Sequence, residues 1–366
     1  MSGRICGSAA ARRFSPARLA GILLAAAFGL AGNAFAQQTA EEPIQLQIIG
    51  GLAGVTQFNK IERPFWETEI GPLSQGRISA TIRPLDAGGL RTQEMLQLLR
   101  LGVVSFGTVL LSVTAGDEPE LSAVDLPALN PDVATLRRTV GAYRPHLEAV
   151  LRDRYDIQLL GVYAYPAQVL FCVKPFTGLN DLDGRRIRTS SVAQSELMTA
   201  LGAVPVSIPF ADIMPSLRDD VVDCAITGTL SGYEIGLPDV TSYVHAMALS
   251  WGVSIFAVNR PYWENLPADA RETTRSGVQA LEKRIWSQTE ADTQRGLACN
   301  AGAADCSGKA RKAMTVVPTS SEDEVRRRKL LTDVVLPRWF TRCGRECERT
   351  WNTYLKPLFA TEPHAP

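Results

Sequence analysis

The chain has 366 residues, with 38 basic residues balanced by 38 acidic ones. That balance excludes the basic face that nucleic-acid binding needs, so no nucleic-acid partner is expected. The length exceeds what a single hydrophobic core ordinarily fills, so two domains are expected.

In chain order, the first feature is a leader. Arg4, Arg12, Arg13 and Arg18 precede an apolar run over residues 19–30, too short for a comfortable bilayer span and suited to a signal h-region. Ala34-Phe35-Ala36 then supplies a small-x-small cleavage pattern, so a signal peptide over 1–36 and export to the periplasm are expected, with processing at Ala36-Gln37. An uncleaved membrane anchor is the competing reading. Removing the leader leaves 34 basic against 38 acidic residues, and no later apolar run reaches spanning length.

Residues 44–49 (IQLQII) alternate in the strand manner and are ended by Gly50-Gly51. A helix is predicted over 59–70, a strand over 77–84, a helix over 92–101 and a strand over 103–108. A second unit opens near 159–163, with strands over 169–173 and 186–188, a helix over 191–201 and a strand over 204–208. A short helix over 210–217 and a strand over 221–226 follow. Residues 251–258 alternate and are expected to cross back to the first unit. A long amphipathic helix runs from Ala268 to about Gly296, and helices over 322–336 and 346–358 close the chain. This strand–helix rhythm predicts α/β domains with largely parallel sheets.

Six cysteines follow the leader, and export makes disulfides possible. Cys299 and Cys306 flank a Gly/Ala-rich loop and are the predicted pair. Cys343 and Cys347 stand at i, i+4, poor for a bridge within a regular helix, though an irregular turn would permit one. Cys172 and Cys224 sit in apolar strands and read as buried free thiols. The histidines, His146, His245 and His364, have no ligand spacing to a cysteine pair, so no metal site is expected. No G-x-S-x-G elbow and no phosphate-binding glycine loop appears, so neither catalytic residues nor a cofactor are expected. Gly50-Gly51-Leu52-Ala53-Gly54 lacks dinucleotide and P-loop order and reads as a ligand-approach loop. A secreted hydrolase, or a sensor or scavenger, are the alternative classes.

The stretch over residues 179–225 carries Asp181-Leu182, Gly184, Ile187-Arg188, Ala200-Leu201-Gly202-Ala203, Pro205-Val206, Leu217 and Val222-Asp223. In this pattern it resembles the solute-binding subunits of tripartite ATP-independent periplasmic (TRAP) transporters, the DctP-like family. The resemblance implies a two-lobed periplasmic binding protein fold, with crossing strands, a ligand cleft between the lobes and a long bracing helix. It also implies a small organic acid as ligand (a monocarboxylate, 2-oxo acid or dicarboxylate) and TRAP membrane subunits as partners. Lobe I is placed at 37–165 with 254–293 returning to it, and lobe II at 166–253 with 294–366 packing on it.

The resemblance makes Arg188 the carboxylate anchor, its planar fork facing the open cleft rather than the core. A surface ion pair with Asp181 or Asp183 is the competing role. Gln168 matches a second polar ligand contact, and Phe210 an aromatic that packs on the ligand skeleton. After Asp223 the sequence departs from the family: Cys224, Ala225 and Ile226 replace polar residues and Thr227 keeps one contact, favouring a short monocarboxylate or 2-oxo acid over a sugar acid. Thr108 is a further candidate lining residue, as are Tyr163 and Trp251, with core packing the competing role for each.

Overall fold

A computed structural model describes residues 42–87, 89–306 and 311–359. The predicted signal peptide and its cleavage site lie outside the described residues. Among the described residues no helix is long and apolar enough to cross a membrane.

Two sheets organise the chain. The strands are β1 Ile44–Ile49, β2 Ile78–Arg83, β3 Phe106–Leu110, β4 Ile157–Ala164, β5 Gln168–Cys172, β6 Arg186–Thr189, β7 Val204–Ser207, β8 Cys224–Gly228, β9 Tyr243–His245, β10 Val253–Asn259 and β11 Thr315–Val317. The first sheet runs β2-β1-β3-β10-β4, and the second β11-β9-β5-β8-β6-β7. In β1 the alternation read from the sequence is literal: Leu46 and Ile48 are buried while Gln45 and Gln47 are exposed. In β10 it is not, because every residue of that strand is buried. It lies between β3 and β4 with both faces covered, so its pattern is near-continuously apolar.

The strand β4, where the sequence suggested a second unit opening, instead belongs to the first sheet, antiparallel to β10. Just beyond it, residues 165–167 break the strand and β5 enters the second sheet. The return crossing is at residues 250–252: the Gln168 amide donates to the Ser250 carbonyl at 2.8 Å, and the next residues enter β10. The fold is thus two lobes joined by crossing strands.

The helix Ala268–Asn300 is 33 residues long and contacts both lobes. Trp286 Nε1 donates to the Val162 carbonyl at 2.8 Å, and Thr289 Oγ1 to Ala164, both in the first sheet. At its far end Asn300 Nδ2 donates to the Thr229 carbonyl at 2.9 Å, beside β8. A Cβ on Gly296 would lie 2.2 Å from the Leu230 backbone nitrogen, so only glycine lets the helix approach this closely. The sequence left residues 133–155 unread; they form the helix Val133–Tyr155, started by Asp132 accepting from the Thr135 amide at 2.7 Å.

The cysteine assignment needs correction. Cys172 and Cys224 are a disulfide, not free thiols. They stand directly opposite on the antiparallel pair β5–β8, with Cα atoms 4.1 Å apart. A register between strands 52 residues apart has no signal in either strand alone. Cys299 is joined to Cys306, just past the long helix. Cys343 is joined to Cys347, because Gly344 at φ +70° breaks the helix between them.

Candidate functional site

A cavity of about 450 Å³ lies between the two sheets, a volume suited to a small molecule. From the first lobe come Leu52, Asp86, Leu90, Leu110, Val113 and Asp125. The crossings supply Tyr165, Gln168, Ser250 and Gly252, and the second lobe supplies Arg188, Ser190, Gln194, Phe210, Thr227 and Ser231.

Arg188 stands near the C-terminal end of β6, which is parallel to β7 and β8, the end of a parallel sheet where ligands bind. The surrounding signature builds this position without lining the cavity. Gly184 at φ +70° turns the chain into β6, and its amide donates to the Gly202 carbonyl at 2.9 Å. Asp181 caps Thr177, and Asp223 accepts from the Arg186 amide and side chain. Arg186 is therefore the ion-paired arginine, with Asp220 and Asp223.

Arg188 has no acidic partner among the described residues. Its side chain is buried, so it does not simply face an open cleft as the sequence suggested. Nε donates to the Ile208 carbonyl at 2.8 Å and Nη1 to the Ile226 carbonyl at 2.6 Å, tying together the ends of β6, β7 and β8. Burial lowers its pKa to about 9, which leaves it protonated at neutral pH. A buried cation that lines a cavity without a counter-ion leaves a charge that an anion could complete.

Gln168 begins β5, and its side-chain amide has no protein partner among the described residues. Gly252, at φ +66°, lies over it; a Cβ there would be 2.9 Å from Gln168 Nε2. Thr227 on β8 and half-buried Phe210 also line the cavity. Thr108 does not. It is fully buried on β3, opposite Phe256 and two residues short of Leu110, which does reach the cavity. Sites form at strand ends, and Thr108 lies within the sheet. Tyr163 and Trp251 are likewise core residues: Tyr163 stacks on Phe256, and the Trp251 indole donates to the Asn130 carbonyl at 2.9 Å.

Several lining residues escaped the sequence reading. Gln194 accepts from the Ser190 amide at 2.9 Å and donates to Ser250 Oγ at 2.9 Å, linking the helix after β6 to the crossing. The Ser-x-x-Gln spacing at Ser191-Gln194 was a legible signal for it. Asp125 had none. Its carboxylate accepts from the Trp251 amide at 2.7 Å and the Val253 amide at 3.0 Å, and burial raises its pKa to about 6. Of the glycine-rich loop, Leu52 lines the cavity, whereas Gly50 and Gly51 are packed against Glu62 and Tyr165.

A direct contact joins the lobes beside the cavity. The Thr56 amide and hydroxyl, at the start of the helical run 57–73, both donate to Glu234, on the helix Thr229–Ile235 that follows β8. A residue of one lobe thereby caps a helix of the other.

The residues lining the cavity include no histidine and no cysteine, and so no nucleophile–base pair built on them. The three groups with converging metal-ligand atoms, Glu120, His146 and Glu346, lie outside the cavity. Arg154 already occupies Glu120 at 2.7 Å, a poor start for a cation site.

Residues 56–305 match the family model described as bacterial extracellular solute-binding protein, family 7. The C4-dicarboxylate-binding periplasmic protein DctP of Rhodobacter capsulatus is 26% identical over 205 residues, 55% of this chain and 59% of that protein. The outer membrane transporter protein TsaT of Comamonas testosteroni is 24% identical over 236 residues, 61% of this chain and 65% of that protein. The chain thus spans about three-fifths of the length of these curated relatives. A Bordetella pertussis extracytoplasmic solute receptor binding pyroglutamic acid superposes with a TM-score of 0.76 at 20% identity, over 85% of this chain and 99% of that one. A TRAP solute-binding protein of Rhodoferax ferrireducens with bound malonate gives 0.72 at 20% identity, over 86% and 99%. At these identities the superpositions establish a shared fold.

Proposed function

This chain belongs to the bacterial extracellular solute-binding proteins of family 7, and from that premise we propose that it captures a small organic acid in the periplasm and releases it unchanged to the membrane subunits of a TRAP-type transporter. The observation that carries the reading is Arg188, a buried guanidinium without a carboxylate partner at the wall of a cavity of about 450 Å³. Its bonds to two carbonyls orient the fork without neutralising it, so a ligand carboxylate completes the pair. Gln168, Thr227 and Ser190 offer neutral hydrogen bonds beside it, and Phe210 an apolar face for the carbon skeleton. The pyroglutamic acid and malonate bound by fold relatives share a carboxylate, which fits the same chemistry.

Calorimetric titration of the exported protein with a panel of organic acids tests this. One of them should bind and, at about 100 times its Kd, add about 2.7 kcal/mol of stability. Mass spectrometry of the recovered ligand should find it unaltered. A panel in which only uncharged sugars or amines bind would sink the reading, and conversion of the acid to product would make the protein an enzyme.

A further inference from the structure

We propose that the acid held in this cavity carries one carboxylate, bound by Arg188, and ends in a neutral hydrogen-bond donor facing Asp86 rather than in a second carboxylate. The inference rests on the carboxylate reading and narrows it.

The charges around the cavity are unequal in kind. Arg188 is the only buried cation among the lining residues. The other lining cation, Arg91, belongs to the rim: its side chain is 78% exposed and lies 3.5 Å from Glu94. Two acids also line the space. Asp125 spends both oxygens on the Trp251 and Val253 amides, so it adds negative charge to the wall without being free for contact. Asp86 comes from the lobe opposite Arg188. Its Oδ1 accepts from the Ala53 amide at 2.7 Å, and Oδ2 has no protein donor among the described residues. An unused carboxylate oxygen at a cavity wall calls for a donor, an amide N–H or a hydroxyl. Much of the remaining wall is apolar, with Leu52, Leu110 and Phe210 among it. A second ligand carboxylate would find two like charges and no buried cation to neutralise it.

The test is calorimetric titration of the exported protein with matched pairs, succinate against succinamate and glutarate against glutaramate, with pyroglutamate as the ring-closed amide. Within a pair, the monoamide should bind at least about tenfold more tightly, since like-charge juxtaposition costs well over one decade of affinity. In D86N, which keeps an acceptor for Ala53 and loses the charge, the two members of a pair should come within about threefold. A diacid that binds as tightly as its monoamide overturns this inference and leaves the carboxylate reading standing. Discrimination unchanged in D86N overturns the role given to Asp86. Failure of every acid to bind removes the carboxylate reading itself, and this inference with it.

Discussion

Arg188 is asked to do two things that a single substitution separates. In the proposed function it offers charge to a ligand, and in the structure it ties the Ile208 and Ile226 carbonyls together across three strands. Arg188→Ala should therefore weaken binding of the cognate acid by about 3–5 kcal/mol, because the bound carboxylate stays buried and unpaired. It should also lower the stability of the unliganded protein by about 1–3 kcal/mol through the two orphaned carbonyls. Arg188→Lys keeps the charge and loses the fork, so its binding should fall between parent and alanine. Titration calorimetry and urea unfolding read the two effects independently; an unliganded Arg188→Ala as stable as the parent would show that the carbonyl ties contribute nothing. Asp125 offers a pH test. Burial raises its pKa from 3.8 to about 6, so the folded state holds this proton more tightly than the unfolded chain does. The stabilising contribution is full below 3.8 and is lost as pH rises through about 6. The stability of parent relative to Asp125→Asn should thus fall by about 3 kcal/mol between pH 3.5 and pH 7, at about 1.36 kcal/mol per pKa unit. A flat difference across that window would disprove the assignment. At this scale the placement of Arg188, Gln168 and Phe210 at the cavity was legible through the family pattern, and that of Thr227 in the stretch that departs from it, while Asp86 and Asp125 were not, since their positions are set by backbone amides brought to them by the fold.

Among the elements, β5 and β8 carry most weight, because each bears a cavity residue at one end and a half of Cys172–Cys224 at the other. Gln168 opens β5 and Thr227 lies near the end of β8, so the disulfide staples the register on which their placement depends. Replacing both cysteines with alanine should cost about 4 kcal/mol from restored chain entropy, given the 52-residue separation. Ligand affinity should fall as well if register at the stapled end controls the site end. Chemical unfolding and calorimetry of the double variant measure both; a loss of stability with affinity unchanged would restrict the bridge to a structural role. The individual strands were readable from alternation and apolar runs, but β10 and the Cys172–Cys224 pair show the limit. Burial on both faces erases a period of two, and register between distant strands leaves no trace in local sequence.

Across the whole molecule, the lobes are joined by Thr56 to Glu234, by Arg327 and Trp339 donating to the Ala128 and Pro119 carbonyls, and by the helix Ala268–Asn300 that touches both. The Thr56 contact spans the two lobes beside the cavity, so it stabilises their placement relative to one another and not either lobe alone. Thr56→Val removes the hydroxyl bond and should raise the ligand dissociation rate by about 5–10-fold, the kinetic equivalent of about 1–1.5 kcal/mol. The association rate should barely change. Stopped-flow release of bound acid measures it, and an unchanged dissociation rate would mean that the contact does not hold the lobes closed. What the sequence alone determined were the class of fold, the long bracing helix, the crossing of the chain between lobes and the arginine at the end of a parallel strand. These are written in periodicity, in turn glycines such as Gly184 and Gly202, and in a local signature, all of which act over a few residues. Only the tertiary structure decided the disulfide across β5 and β8, the exclusion of Thr108 from the cavity, the negative wall of Asp86 and Asp125, and the cap that Glu234 places on the opposite lobe. Each depends on which distant backbone groups meet, and that is a property of packing that no window of sequence contains.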